Sequence, residues 1–499
     1  MATTALTPLP RTPRHRPRHR PRQRPCASPA LARLFAGLVR AAAAALLAGC
    51  SGNAPDPAQN LLLVSIDTLR ADALGVYGST RGATPQLDTW AARGVLFERA
   101  FSHSPKTAPA HHSLLTSLTP RVHGVGNLDT AGASHLPPEA VPLAQTLATR
   151  GFRTGAFTGG GNIKALLGFD RGFEIYDDGP GTLAAKLTKA RRWLRDNGDG
   201  RWFLFFHTYH VHDPYLVPAD LLARFADPGY GGRIVGTRAE LMQRSAAGED
   251  LAPKRSGHDN IGANFWLRVD EQDPADHQHL HDLYTAGVAD ADRQIGDFLG
   301  GLERSGQLDN TLVVVTSDHG EEFGEHGRLR HDRLWQEVLH VPLLVQLPGG
   351  RAAGTRIAAP VRHIDFVPSA LALLDVADTT HLRQGRSWAD WIGRTTPVTE
   401  DRIVFGEHRS RREVPLDTWS LRRGGWLLLH DSEGDHLRDL RRDPAEVVPV
   451  ADGERAAELR TAALAELARL ESYASQLTRG TGVEIDAATR AELKALGYF

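Results

Sequence analysis

The sequence predicts an α/β fold: a mostly parallel sheet covered by helices on both faces, followed by a smaller C-terminal α+β subdomain. Three observations lead there. Continuous apolar runs recur at 60–66 (NLLLVSI), 202–206 (WFLFF), 311–316 (TLVVVT) and 341–346 (VPLLVQ), the pattern of strands buried on both faces. Helical periodicity lies between them, at 87–93, 140–149 and 283–302. Asp67 directly follows the first run and Asp318 closely follows the third, which puts both carboxylates at the edge where such sheets bind ligands.

The elements divide the 499 residues into parts. Residues 1–50 form a leader. Its stretch 11–25 (RTPRHRPRHRPRQRP) is basic, proline-rich and unable to build a core. An apolar run follows and ends in Leu47-Ala48-Gly49-Cys50, the shape of an export signal closing on a lipidated cysteine. Residues 51–58 read as a tether. Residues 59–395 form the α/β core, with an insertion at about 225–280 that is rich in Gly, Asp, Arg and His and weakly periodic. Residues 396–499 form the C-terminal part. There, IVFGEH and GGWLLLH read as antiparallel strands and 454–473 as a helix.

Composition narrows the function. Hydrophobic residues make up 41% and charged residues 23%, ordinary for a globular protein. The net charge is −1, but the leader holds nine Arg and no acid. The remainder carries 49 basic against 59 acidic residues, which points away from nucleic acid. Both cysteines, Cys26 and Cys50, lie in the leader, so the rest of the chain can form no disulfide.

Several blocks, in order, resemble the sulfatase family. They are LLLVSIDTLRADALGVYG, TPQLDTWAARGVLFERAFS, TAPAHHSLLTSLTPRVHGV, FFHTYHVHDPY, SDHGEEFGEHG, HVPLLVQLPG and VRHIDFVPSALALLDVA, with LRDLRRDPAEV and ELKALGYF near the end. The resemblance spans roughly residues 58–499 and implies the core fold and metal site shared with alkaline phosphatases. It places a divalent metal on Asp67, Asp318 and His319, with Thr107 as a further ligand and the nucleophile. Taken singly, these residues could instead cap a helix or close a turn.

This chain departs from the formylglycine-dependent members. They carry a Cys-x-Pro-x-Arg segment, and here the segment is Thr107-Ala108-Pro109-Ala110-His111. Cysteine-derived formylglycine is therefore excluded. Family relatives with threonine at this place include phosphodiesterases and phosphoethanolamine or glycerol-phosphate transferases, which pass through a phospho-threonine. Calcium-type sulfatases have a second acid after the first and an Asn after the later Asp. Here Thr68 and His319 stand there, which favours zinc or manganese over calcium.

Histidines complete the expected site. In extended chain His210 and His212 would share a face. His331 falls near the position of a catalytic lysine in the resembled family. Two arrangements stay open: a second metal on His210, His212 and His331, or one metal with these histidines moving protons. His111 is expected to contact a substrate oxygen and Lys106 to neutralise the anion. The expected activity is hydrolysis of phosphate or sulfate esters, leaning to phosphate, on a small-molecule, glycan or lipid ester. The alternatives are a phosphoryl transferase and an inactive lipid-anchored binding protein. The expected address is the cell envelope, membrane-anchored through Cys50.

Overall fold

A computed structural model describes residues 57–128, 133–249, 261–408 and 418–495. The leader and its Cys50 lie outside these residues.

In chain order the strands are β1 (Asn60–Ile66), β2 (Val95–Phe97), β3 (Ala100–Phe101), β4 (Arg153–Phe157), β5 (Ile175–Asp177), β6 (Trp202–Thr208) and β7 (Thr311–Thr316). They continue with β8 (Glu322–Phe323), β9 (Leu329–Arg330), β10 (His340–Val341), β11 (Leu343–Gln346), β12 (Thr355–Ile357) and β13 (Val361–Arg362). The C-terminal set is β14 (Val404–His408), β15 (Thr418–Arg423), β16 (Trp426–Asp431) and β17 (Gly434–Asp439).

The main sheet has the order β12-β2-β11-β7-β1-β6-β4-β5. Its strands run parallel except β11, which opposes both β7 and β2. β1 sits at the centre and is wholly buried. Its alternate side chains feed two cores: Leu61 and Leu63 pack on one face, Leu62, Val64 and Ile66 on the other. Truncating one of these leucines to alanine costs about 2–5 kcal/mol. Register pairs Ser65 with both His207 and Thr316, so β1, β6 and β7 end together. Asp67, His207 and Asp318 therefore emerge at one edge.

Helices Pro85–Ala92, Leu183–Asn197 and Pro274–Arg304 cover one face. Thr107–Thr116 and Phe366–Leu373 cover the other. Among the described residues no helix is long and apolar enough to cross a membrane.

The expected run 341–346 is broken. Pro342 has no N–H for a ladder, so it separates β10 from β11, and its carbonyl accepts from the Thr316 hydroxyl at 2.8 Å. The 225–280 segment is also more ordered than its periodicity suggests. It carries helices Arg238–Ala246 and Ile261–Trp266, and its end opens the helix Pro274–Arg304, capped by the Asp273 side chain. Near the C-terminus, β14–β17 form an antiparallel sheet. Its Phe405, Trp419 and Leu428 share a core with Leu61 and Leu63 of β1.

Candidate active site

Asp67 enters the site from the end of β1, fully buried. The chain turns sharply behind it. Thr68 adopts the left-handed backbone region at φ 57°, a conformation a non-glycine residue holds only under constraint. The constraint is visible: Thr68 N–H donates to Asp318 Oδ1 at 3.2 Å, and Tyr284 donates its hydroxyl to the Thr68 carbonyl at 2.9 Å. His207, at the end of β6, receives the Gly159 N–H at Nδ1, so Nε2–H donates to Asp67 Oδ2 at 3.1 Å. This leaves Asp67 Oδ1 without a hydrogen bond.

Asp318 follows β7 through Ser317. The Ser317 hydroxyl accepts from Leu69 N–H and donates to the His319 carbonyl, and the Ser317 carbonyl accepts from His363. His319 donates Nδ1–H to the Gly320 carbonyl at 3.0 Å. Its Nε2 therefore carries a lone pair, and it faces Asp318 Oδ2 at 3.3 Å and Thr107 Oγ1 at 3.5 Å. Asp318 Oδ2 has no hydrogen bond.

Thr107 opens the helix Thr107–Thr116, buried along its whole length. Asn127 Oδ1 accepts the Ala108 N–H at 2.9 Å and so holds the helix start. The Asp67, Asp318 and His319 ligand atoms lie within 4.8 Å of one another.

The electrostatics of this cluster demand positive charge. Burial, opposed in part by His212, pushes the Asp67 carboxyl up to about 7. Burial and the neighbouring Asp67 raise Asp318 well above the usual carboxylate range. Burial and His331 hold His319 far below the usual imidazole value, so it is neutral. Unpaired buried carboxylate oxygens opposite an imidazole lone pair are costly as they stand. A divalent cation fits this donor set of two carboxylates, one imidazole and a hydroxyl.

A second cluster joins His212, Asp213 and His331, again within 4.8 Å. His331 donates Nδ1–H to the Pro105 carbonyl at 2.9 Å. His212 donates Nδ1–H to the Asp213 carbonyl at 2.8 Å. The His331 imidazole thus keeps Nε2 for another partner. Burial disfavours charge on His212, but the Asp213 carboxylate outweighs it and raises the group to about 10. Burial, Lys106 and His212 bring His331 down to about 3. The His319 and His331 ring centres are 4.4 Å apart, so the clusters adjoin.

The structure separates His210 from this cluster. β6 ends at Thr208, and His212 N–H bonds back to the Tyr209 carbonyl, so the chain turns and extended alternation no longer applies. His210 instead meets Asp290 at 2.8 Å on the long helix. Asp213 stands with His212 and His331 in its place. His111 is likewise not open to substrate. It is fully buried, accepts from the Ser65 hydroxyl at Nε2 and donates from Nδ1 to the Thr107 carbonyl, both at 2.9 Å. Lys106 forms an ion pair with Asp332. His326 pairs with Glu337 and stacks on Trp335.

Sequence reasoning missed two further residues. One is Trp266, whose indole N–H donates to Asp213 Oδ2 at 2.5 Å. The other is Glu321, fully buried with neither carboxylate oxygen hydrogen-bonded. Burial, with Asp213 beside it, pushes Glu321 up to about 8. Its only sequence cue is its place in SDHGEE.

Comparison with known proteins bears on this geometry. The Sulfatase family model matches residues 59–376. The sulfatase YidJ of Escherichia coli is 25% identical over 447 residues, covering 81% of this chain and 85% of that protein. The N-acetylglucosamine-6-O-sulfatase of Bacteroides thetaiotaomicron is 22% identical over 486 residues, with coverage of 81% and 85%. Among solved structures, the phosphonate monoester hydrolase of Agrobacterium radiobacter superposes with a TM-score of 0.64 at 21% identity, covering 84% of this chain and 96% of that one. At that identity the likeness shows the shared fold.

Proposed function

The chain belongs to the sulfatase family, and from that premise we propose that it hydrolyses phosphate esters with Thr107 as nucleophile and divalent cations at its two buried clusters. It is an ester hydrolase of the sulfuric or phosphoric type; the choice of phosphate, the nucleophile and the metals are the proposal. One observation carries the reading: the Thr107 hydroxyl stands beside His319 Nε2, Asp67 and Asp318, where the family has its nucleophile, and the fold from residue 57 onward contains no cysteine.

Asp67, Asp318 and His319 would hold one cation, and His212, Asp213 and His331 a second; when bound, the cations supply Lewis-acid polarisation of ester oxygens and an activated hydroxyl. Zinc or manganese fits this set better than calcium, which takes six to eight oxygens. The Thr107 oxygen loses its proton and forms a bond to phosphorus as the bond to the leaving oxygen breaks, and the leaving oxygen takes up a proton to depart as the alcohol. In this reading His212 and His331 would assist the leaving oxygen. Water then attacks the phospho-threonine, releasing phosphate and restoring the hydroxyl. His207 orients Asp67, and His111 ties the carbonyl of Thr107 to Ser65. The substrate is a small-molecule, glycan or lipid ester. Export and anchoring at Cys50 belong to the same proposal and rest on the LAGC ending of the leader.

The test is a substrate panel on the purified protein: aryl sulfate, phosphate monoester, phosphodiester and phosphonate, each with added zinc, manganese or calcium. The expected preference is a phosphorus ester with zinc or manganese. Preference for aryl sulfate overturns the phosphate reading, and transfer to an added alcohol in place of water identifies a transferase.

A further inference from the structure

Arg330 stands at the rim of the second cluster, immediately before His331. Its backbone lies in the left-handed region at φ 74°. For a long side chain at the end of a two-residue strand this is a strained choice, and such strain collects at functional sites. Its guanidinium carbon rests 4.1 Å from the ring centre of Trp266. Trp266 in turn is fixed by its hydrogen bond to Asp213. The inserted helix Ile261–Trp266 thus supplies a platform, the cluster anchors it, and Arg330 lies on it.

The guanidinium of Arg330 is not taken up in an ion pair among the described residues. Arg70 pairs with Asp72 and Glu325, Arg402 with Asp365, and Arg422 with Glu446. The half-buried Arg330 is paired with Glu322 through its backbone, but its guanidinium has no hydrogen-bond or ion-pair partner among the described residues. It lies close enough to Asp213 to favour that carboxylate's charge, although burial opposes it. A guanidinium held over an aromatic ring, with its donors unused, is preorganised for a planar or tetrahedral anion. In the hydrolase reading above, the cluster beside it assists the leaving oxygen, so an anion held by Arg330 belongs to the leaving group.

We propose that Arg330, stacked on Trp266, is a specificity-determining residue that binds a second anionic group, a carboxylate or sulfate, carried by the leaving-group part of the substrate. This rests on the ester-hydrolase reading above. The favoured substrates are then esters of acidic alcohols rather than of neutral ones, and the insertion at 225–280 shapes that preference through Trp266.

The test compares phenylphosphonate with its 3- and 4-carboxy derivatives as competitive inhibitors of wild type, Arg330→Lys and Arg330→Ala. Wild type is expected to bind one carboxylated analogue on the order of 10-fold or more tighter than phenylphosphonate. Arg330→Ala brings that ratio to about one while phenylphosphonate binding changes less than about 2-fold, and Arg330→Lys retains part of the ratio. A wild-type ratio of one overturns the proposal, as does an equal loss for all analogues in Arg330→Ala, which marks Arg330 as a support for Asp213 only. Hydrolysis of a simple ester by wild type with a ratio of one sinks the specificity proposal alone. Absence of both hydrolysis and inhibition sinks the ester-centre reading and the proposal with it.

Discussion

Thr107 Oγ1 lies 3.5 Å from His319 Nε2, the nitrogen that His319 keeps free by donating Nδ1–H to the Gly320 carbonyl. A hydroxyl facing an imidazole lone pair, with two unpaired carboxylate oxygens alongside, is a donor set that fits a divalent cation.

Removing metal with a chelator is therefore expected to abolish ester hydrolysis. Zinc or manganese should restore it, and calcium should not, because the cluster supplies too few oxygens. Metal analysis of the purified protein alongside initial rates reads both effects. Full activity with calcium alone contradicts the ligand assignment.

The two histidines of the HTYHVHDP segment should behave differently. His212→Ala is expected to lower the bound metal from two equivalents to one and kcat on the order of 10²–10⁴-fold. His210→Ala breaks only the contact to Asp290 and should leave metal content unchanged, with kcat within about 3-fold. A wild-type content of one equivalent with full activity removes the second metal from the account.

His207 acts on Asp67 through one hydrogen bond. His207→Ala is expected to weaken metal affinity or activity by about 10–100-fold, and His207→Gln, which can keep a donor, by less. Titrating metal back into each stripped variant measures this. Equal affinities across the three proteins would show that the bond does not orient the ligand.

Asp365 braces the edge that carries Asp318. It takes charge-assisted bonds from Arg362 and Arg402 and the Arg386 N–H, while its neighbour His363 holds the Ser317 carbonyl. Burial opposes its charge, but Arg362 and Arg402 keep it below the usual carboxylate range. The folded value is depressed, so its contribution is present above the unfolded value near 4 and fades as pH falls through the folded one. Asp365→Asn should cost about 3–5 kcal/mol at neutral pH. Urea melts at falling pH should show that difference shrinking below roughly pH 4. A pH-independent difference contradicts the pairing.

Much of the fold and the first cluster was legible in the sequence, for a physical reason. β1 and β7 are buried at every position and mostly apolar because both faces are covered, and an acid just after such a strand lands on the ligand edge. The second cluster was harder to read. His210 and His212 share a face only if the chain stays extended, and the turn at Tyr209 separates them, leaving His212 in the cluster and His210 on Asp290. Asp213 and Trp266 meet across 53 positions, and the helix bearing Trp266 is too short to show periodicity. His111 was expected at a substrate oxygen, but the helix Thr107–Thr116 is buried all round and its ring is taken up by Ser65 and the Thr107 carbonyl. The direction of β11 is a matter of topology, to which apolar composition is blind.

The central claim is that Thr107 attacks the ester. The most direct measurement is rapid acid quench during turnover of a phosphate ester, followed by peptide mass mapping, on wild type and Thr107→Ala. The account predicts a phosphoryl increment on the wild-type peptide holding Thr107, absent from Thr107→Ala, whose turnover falls by at least about 10³-fold. Turnover by Thr107→Ala close to the wild-type rate, or a phosphoryl group on another residue, contradicts it.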